Sequence, residues 1–292
     1  MSTMTIAYHF EAEVWATYSV VEPKSGQITF LPRGRERRFF NPADEASMVS
    51  ALAKIVGNRD DSSEYEVRAA LDYVHHFGFL GESKFTKEHI VVSGNRYSGA
   101  YETASFLKLH ALMVHQFMGM QYREEQQMET PESTIQWLLF FTKNFRRLGS
   151  FMIGQPAASF DGLDYVQLRN DGYTVREVNR LVRDKFFSYA LAGGSRSCID
   201  GNDVFVFSSL AQLIYWRLRD WSQAYSIRKC DTCGRMFFVF DKRQKYCPPF
   251  PGSKESACGI KRSLEIQAGE EEDVNLSKRS KLETFLHPYE GF

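Results

Sequence analysis

Residues 227–238 read IRKCDTCGRMFF, and RQKYC at residues 243–247 and CGIKR at residues 258–262 follow them. These segments hold four of the five cysteines of the chain, Cys230, Cys233, Cys247 and Cys258. A Cys-x2-Cys turn brings two sulfurs close enough to share one tetrahedral ion, and the glycine directly after it, Gly234, permits a tight turn. The spacing therefore predicts that the four cysteines bind one metal ion.

Zinc is the ion that a set of four thiolates favours. It has no redox chemistry, and it accepts tetrahedral sulfur at about 2.3 Å. A reduced cluster without metal and an iron-bearing or redox site are the alternatives. Four protein ligands leave no open coordination position, so we expect the zinc to be structural and not catalytic. The lack of histidine between Arg228 and Arg262 argues against a histidine-metal nuclease.

The residues around these cysteines predict a knuckle (the Cys230–Cys233 turn), a hairpin, a loop and a helix, in that order. Residues 236–240 are a strand by composition, residues 241–244 are its polar turn, and residues 245–247 are the returning arm. The proline-rich residues 248–252 must form a loop, because proline does not fit a helix interior. Cys258 then opens a short helix. We expect a treble-clef-like zinc finger with four cysteine ligands.

This finger is basic, although the chain has 36 basic and 36 acidic residues. Residues 226–262 hold nine basic and three acidic residues, whereas residues 263–292 hold three basic and seven acidic ones. Lysine and arginine neutralise phosphates, so the basic segment predicts a surface that contacts DNA or RNA. A solvated basic face beside a purely structural zinc, and a protein partner, are the alternatives. The candidate nucleic-acid contacts are Arg228, Lys229, Arg235, Lys242, Arg243, Lys245, Lys261 and Arg262.

The quoted segments resemble the CGNR-type zinc finger, which ends bacterial proteins whose larger N-terminal domain is called ABATE. Cys258 and Gly259 match the Cys-Gly of its signature. Ile260 stands in place of the family's asparagine, Arg262 lies one place after its arginine, and the gap before Cys258 is longer than in the family. The likeness spans residues 227–262 of 292. It implies a transcription regulator or stress-related protein with four cysteine ligands.

Three regions follow from these patterns. Residues 1–225 are expected to be a mostly helical α+β domain, ABATE-like by the resemblance, with an N-terminal β-hairpin or small sheet. Residues 226–268 are the zinc finger, and residues 269–292 are an acidic, flexible tail. We call the first two the large domain and the finger.

The large domain begins with strand-type residues at 5–20 and 27–31 around a turn at 23–26, and the arginine-rich residues 33–38 are expected to be a loop or an edge. Apolar residues at helical spacing then predict a series of helices with short strands between them. The helices are predicted near 41–56, 63–78, 100–127, 133–148, 174–193 and 208–224, and the strands at 162–169 and 204–207.

The large domain shows no catalytic constellation. His75 and His76 are adjacent on a helix and point about 100° apart, so they do not share one ion. His110 and His115 likewise fall off one helical face. Cys198 has no histidine nearby in sequence and is expected to be a buried apolar residue. An enzyme with an unrecognised site in the large domain stays open, as does a small-molecule ligand of that domain.

The chain also lacks the sequence marks of export or membrane insertion. Its longest apolar runs are about five residues, against the ~20 that a bilayer span requires. Residues 1–14 show no secretory signal, and the uneven cysteines do not suggest a disulfide framework. We therefore predict a cytoplasmic, zinc-binding transcription regulator whose finger contacts nucleic acid. A protein-interaction or scaffold module with a structural zinc is the main alternative.

Overall fold

The computed structural model describes residues 7–22, 28–56, 63–81, 90–92, 95–97, 101–136, 138, 165–190, 195–199, 202–207 and 209–268. Its strands are β1 Ala7–His9, β2 Ala12–Val21, β3 Thr29–Phe40, β4 Ile90–Val92, β5 Asn95–Tyr97, β6 Glu102–Thr103, β7 Ser195–Ile199, β8 Asn202–Val206, β9 Ile227–Lys229 and β10 Met236–Phe238. Its helices are α1 Met48–Ala53, α2 Ser63–Phe77, α3 Ala104–Glu125, α4 at 132–136, α5 Tyr165–Asn170, α6 Val175–Ala190, α7 Leu210–Ala224 and α8 at 257–268.

The N-terminal hairpin predicted from the sequence is confirmed. β2 and β3 pair antiparallel from Val21 opposite Thr29 to Ala12 opposite Phe40, and β6 adds a third strand on β3. The pairing is irregular between Trp15 and Thr17. Residues 33–38, expected to be a loop or an edge, lie within β3 and are exposed.

A second small sheet joins the two ends of the large domain. β1 pairs parallel with β8, and β8 pairs antiparallel with β7. The strand predicted at 204–207 corresponds to β8, Asn202–Val206. Its parallel partner β1 lies almost 200 residues earlier in the chain. β4 and β5 form a separate short hairpin.

α3 is the central helix of the core. It contacts α1, α2, α7, β9 and β10, and it buries apolar residues on several sides. Thr103 caps its N-terminus, because the Thr103 hydroxyl accepts the N–H of Phe106 at 3.2 Å. Ser209 caps α7 in the same way through the N–H of Gln212, also at 3.2 Å. Helical residues make up most of this buried apolar core.

Two local predictions around residue 170 have opposite outcomes. The capping box at the start of α6 is confirmed: the Thr174 N–H donates to the Glu177 carboxylate at 2.8 Å, and the Glu177 N–H donates to the Thr174 hydroxyl at 3.2 Å. The strand predicted at 162–169 is wrong where the structure describes it, because Tyr165–Asn170 is a helix. Tyr165 and Leu168 are its buried residues, and their spacing of three is helical.

The hairpin of the finger also differs from the prediction. β10 pairs antiparallel with β9, so that Met236 lies opposite Lys229 and Phe238 opposite Ile227. Residues 245–247, predicted to be the returning arm, are irregular and lie beside the knuckle, where the Asp231 N–H donates to the Lys245 carbonyl at 3.1 Å. The predicted helix after the loop is confirmed as α8.

The finger packs on the large domain. Ile227, Met236 and Phe238 belong to the same apolar core as α1, α3 and α7. The division at residue 225 stays a prediction, and the tail at 269–292 lies outside the described residues. Much of the helix predicted at 133–148, and the helix end predicted near 193, lie outside them as well. Among the helices of the described ranges, none has the length and apolar composition that a membrane crossing requires.

Candidate metal centre

The four predicted cysteines come together in one cluster. The sulfurs of Cys230, Cys233, Cys247 and Cys258 all lie within 4.8 Å of one another, and none is in a disulfide. The sulfurs of Cys233 and Cys247 are 3.6 Å apart, well beyond the ~2.05 Å of a disulfide bond. Four sulfurs around a tetrahedral ion at about 2.3 Å lie roughly 3.8 Å from one another. The cluster is therefore compact enough to hold a metal ion among the four sulfurs.

A tight turn after β9 positions the first two sulfurs. The Cys230 N–H donates to the Arg235 carbonyl at 2.8 Å, and the Gly234 N–H donates to the Cys230 carbonyl at 2.8 Å. Gly234 has a φ of +68°, a backbone conformation that glycine adopts without strain. A Cβ atom at Gly234 would meet nothing within 4 Å, so the backbone conformation and not the available space favours glycine here.

The third and fourth sulfurs belong to segments that follow the β9–β10 hairpin in the chain. Cys247 follows the turn after β10, and Cys258 lies in the first turn of α8. The Thr232 hydroxyl donates to the Cys258 carbonyl at 3.0 Å and so ties α8 to the knuckle. Gly259 allows the close approach of α8, because a Cβ there would lie 3.3 Å from the ring of Tyr246. Residues far apart in sequence are thus fixed around one point.

The thiols influence one another's ionisation. Hydrogen bonds from Cys247 and Cys258 hold the pKa of Cys233 well below its usual range. The hydrogen bond to Cys233 is the main cause that raises the pKa of Cys247 above its usual range and the pKa of Cys258 to about 11. Among these three thiols, Cys233 is therefore the one whose ionised form is favoured. A cation that binds all four sulfurs must displace the remaining protons, which makes its affinity depend on pH.

The large domain contributes to the surroundings of the cluster through Lys54, at the end of α1. The hydrogen bond to Cys233 raises the pKa of Cys247 and Cys258, and the positive charge of Lys54 offsets a small part of that rise. The Lys54 ammonium also lies 5.8 Å from the centre of the Phe250 ring, in the proline-rich loop between those cysteines. Sequence reasoning missed Lys54, because it lies almost 200 residues before Cys247 and no local pattern marks it.

The predicted nucleic-acid contacts fall into two groups. The first group lies at the turn after β10, where Lys242, Arg243 and Lys245 are exposed. Arg228 stabilises this turn, because its guanidinium donates to the carbonyls of Lys242 at 3.4 Å and Gln244 at 2.8 Å. Arg243 forms an ion pair with Asp241 at 3.2 Å. We call residues 241–245 the basic turn.

The second group, which lies outside the basic turn, consists of Lys229, Arg235, Lys261 and Arg262. Arg235 is half-buried, with its guanidinium 4.5 Å from the centre of the Tyr65 ring on α2. Lys229 is exposed but lies over the ring of Tyr122 at 5.1 Å. Both residues therefore also hold the finger against the large domain. On α8, Lys261 and Arg262 both lie near Glu265, with nitrogen–oxygen distances of 3.9 and 3.3 Å.

Glu102 and His110 are among the ionisable residues with strongly shifted pKa values in the core of the large domain. Burial raises the pKa of Glu102 to about 7, although the N–H groups of Leu80 and Gly81 donate to its carboxylate at 3.0 and 2.9 Å. Burial lowers the pKa of His110 to about 3, and its ring is hydrogen-bonded to the Tyr215 hydroxyl. Across the described ranges, the cysteine cluster is the one group of side chains with the arrangement of a metal site.

Comparison with known proteins identifies no relative: no family model matches the chain, and no curated protein or solved structure shows significant similarity to it.

Proposed function

We propose that the four cysteines bind one zinc ion and that this ion is structural. The mutual distances of the sulfurs, all within 4.8 Å, are the observation that carries the proposal. Zinc suits four thiolates in a reducing compartment, and four protein ligands leave no position for a reacting water. The knuckle between β9 and β10, and the helix α8 that follows the loop, support a treble-clef-like finger around this ion. A cytoplasmic location is part of the same proposal.

We further propose that the finger contacts nucleic acid through the basic turn. Residues 226–262 carry a net charge of plus six, and four thiolates with one zinc ion reduce it by about two. The remaining positive charge suffices for several phosphate contacts. Lys242 and Lys245 support this proposal best, because both are exposed at one turn. DNA and RNA are equally compatible with contacts of this kind.

The wider proposal is a transcription regulator of the CGNR type. Its support is the motif itself: Cys230-x2-Cys233-Gly234, followed by Cys258-Gly259 at the start of a helix. The large domain would then sense a small molecule or mediate association.

The competing candidate, a protein-interaction module with the same structural zinc, is favoured by one observation. Ile260 and Leu264 on α8 are exposed, at 46% and 60% of their accessible surface. The enzyme alternative has less support, because Glu102 and His110 are buried in the core at 5% and 2% exposure.

A salt series tests the nucleic-acid proposal. Fluorescence anisotropy of labelled single- and double-stranded oligonucleotides would be measured with the full-length, zinc-loaded protein. We expect the affinity to fall steeply with salt, and the double variant Lys242→Ala, Lys245→Ala to bind about tenfold more weakly with a shallower salt slope. The control is Arg176→Ala, Arg180→Ala, which removes two exposed charges from α6. Equal losses in both variants, or affinity that does not respond to salt, would refute the role of the basic turn.

A further inference from the structure

The helix α8 carries an exposed apolar stripe. Ala257, Ile260, Leu264 and Ala268 recur at spacings of three and four, so they lie on one face of the helix. Ile260 and Leu264 keep 46% and 60% of their accessible surface. These four residues line one shallow groove together with Lys261 and Glu265. A helix of 12 residues in water is marginal unless its apolar face is packed.

The stripe has the same order of side-chain sizes in both directions. Read from either end, it places a small residue, a large one, a large one and a small one: Ala257, Ile260, Leu264 and Ala268. Two such helices can therefore pack antiparallel, with Ala257 of one copy directly opposite Ala268 of the second copy. In that register, the position opposite Ile260 is only one residue away from Leu264 of the second copy. Large side chains meet large ones at the centre, and the alanines let the helix ends approach closely.

The charges beside the stripe are complementary in the same register. Lys261 and Glu265 both lie about 100° further round the helix than Ile260 and Leu264, on the same side of the stripe. In an antiparallel pair, that side of one helix faces the same side of the other. The position opposite Lys261 is then only one residue away from Glu265 of the second copy. The twofold axis generates a second, identical Lys261–Glu265 contact. An isologous interface requires this kind of self-complementarity.

We infer that α8 is a homodimerisation helix, and that its occupant is the α8 of a second copy of this chain, packed antiparallel. The contact is short, since 12 residues of helix span about 18 Å. It buries less than the roughly 1,200 Å² of a standard interface, so we expect a dimer that dissociates on dilution. This dimer does not require nucleic acid. Within it, Lys261 contacts the helix of the second copy and not a phosphate.

Charge-swap variants test both the surface and the register. The full-length, zinc-loaded chain of 33.7 kDa would be studied by sedimentation equilibrium over a range of concentrations. We expect a monomer–dimer equilibrium in the wild type. Lys261→Glu and Glu265→Lys should each weaken the dimer about tenfold, because each places like charges opposite one another. Mixed in equal amounts, the two variants should form a heterodimer as stable as the wild-type dimer, because both ion pairs are then restored.

The mixing experiment separates an intermolecular contact from a change in the helix itself. Lys261→Glu also loses the Lys261–Glu265 ion pair within α8, and Glu265→Lys loses that pair and the Arg262–Glu265 pair. Mixing cannot restore a contact within one chain. Leu264→Lys should abolish the dimer. A wild-type chain that is monomeric at every concentration, a dimer that Leu264→Lys leaves intact, or a mixture no more stable than its components would each overturn the proposal.

Discussion

The ring of Phe250 stacks on the ring of His76, with centroids 4.2 Å apart and planes inclined by 17°. Phe250 belongs to the proline-rich loop between the third and fourth cysteines, and His76 lies in the last turn of α2. The Lys54 ammonium lies near the same Phe250 ring, 5.8 Å from its centre. The loop that completes the cysteine cluster is therefore anchored on the large domain.

Removal of this anchor should destabilise the protein. Phe250→Ala loses the stack on His76 and the contact with Lys54, so we expect the free energy of unfolding to fall by about 2 kcal/mol. Urea denaturation of the zinc-loaded protein measures the change. Met128→Ala, at a residue that is 53% exposed, is the control and should change stability by less than about 0.5 kcal/mol. Equal effects from the two substitutions would show that the stack contributes nothing.

Glu102 should make the stability depend on pH. Burial raises its pKa from 4.5 to about 7 in the folded protein. Because the folded value lies above the unfolded one, the stabilising contribution of Glu102 is complete below about pH 4.5 and is lost as the pH rises through about 7. Glu102→Gln stays neutral, so from about pH 4.5 to about pH 8 it should gain about 3 kcal/mol relative to the wild type.

Urea denaturation at several pH values measures this difference. Glu129→Gln, at an exposed carboxylate, is the matched control and should follow the wild type at every pH. If Glu102→Gln also runs parallel to the wild type across this interval, the carboxylate is ionised throughout and the assigned pKa is wrong.

Two glycines should respond to alanine in opposite directions. Gly78 ends α2 with a φ of +81°, and a Cβ there would lie 2.5 Å from the Glu13 carbonyl oxygen of β2. Gly78→Ala should therefore cost roughly 3 kcal/mol of stability. Gly119 lies within α3, where a Cβ would make an ordinary contact of 3.7 Å with Met236. Gly119→Ala should stabilise the protein by about 0.5–1 kcal/mol.

Thermal unfolding of the two glycine variants checks this contrast directly. A lower midpoint for Gly119→Ala than for Gly78→Ala would contradict the packing described here, both where α2 meets β2 and where α3 meets the finger.

Features set by neighbouring residues were predictable from the sequence. The Thr174–Glu177 capping box needs only two side chains and the backbone between them, so its pattern predicts its geometry. The Cys230–Cys233 turn is local in the same sense. That Cys247 and Cys258 join this pair follows from the chemistry of thiolates more than from the backbone, since a single ion is the common reason for four cysteines within one segment.

Features that depend on distant partners were not predictable. Ile227–Lys229 is too short for its pattern to mark a strand, and its pairing with Met236–Phe238 replaced the hairpin expected from composition. Residues 165–170 are equally ambiguous, because so short a segment fits a helix or a strand until its packing decides. The positions of Lys54 and His76 beside the finger loop depend on tertiary packing. The spacing of residues along the sequence does not reveal that packing.

Zinc K-edge X-ray absorption on the full-length protein, purified without chelator and with its metal content measured, tests the zinc site most directly. We expect one zinc ion per chain, with four sulfur neighbours at about 2.3 Å. Cys258→Ser should lose one of those sulfurs or the metal itself, whereas Cys198→Ser, which changes the cysteine that is not among the four proposed ligands, should leave both unchanged. A protein that carries no zinc, or iron in its place, or a zinc ion with fewer than four sulfur neighbours, would contradict the proposed site.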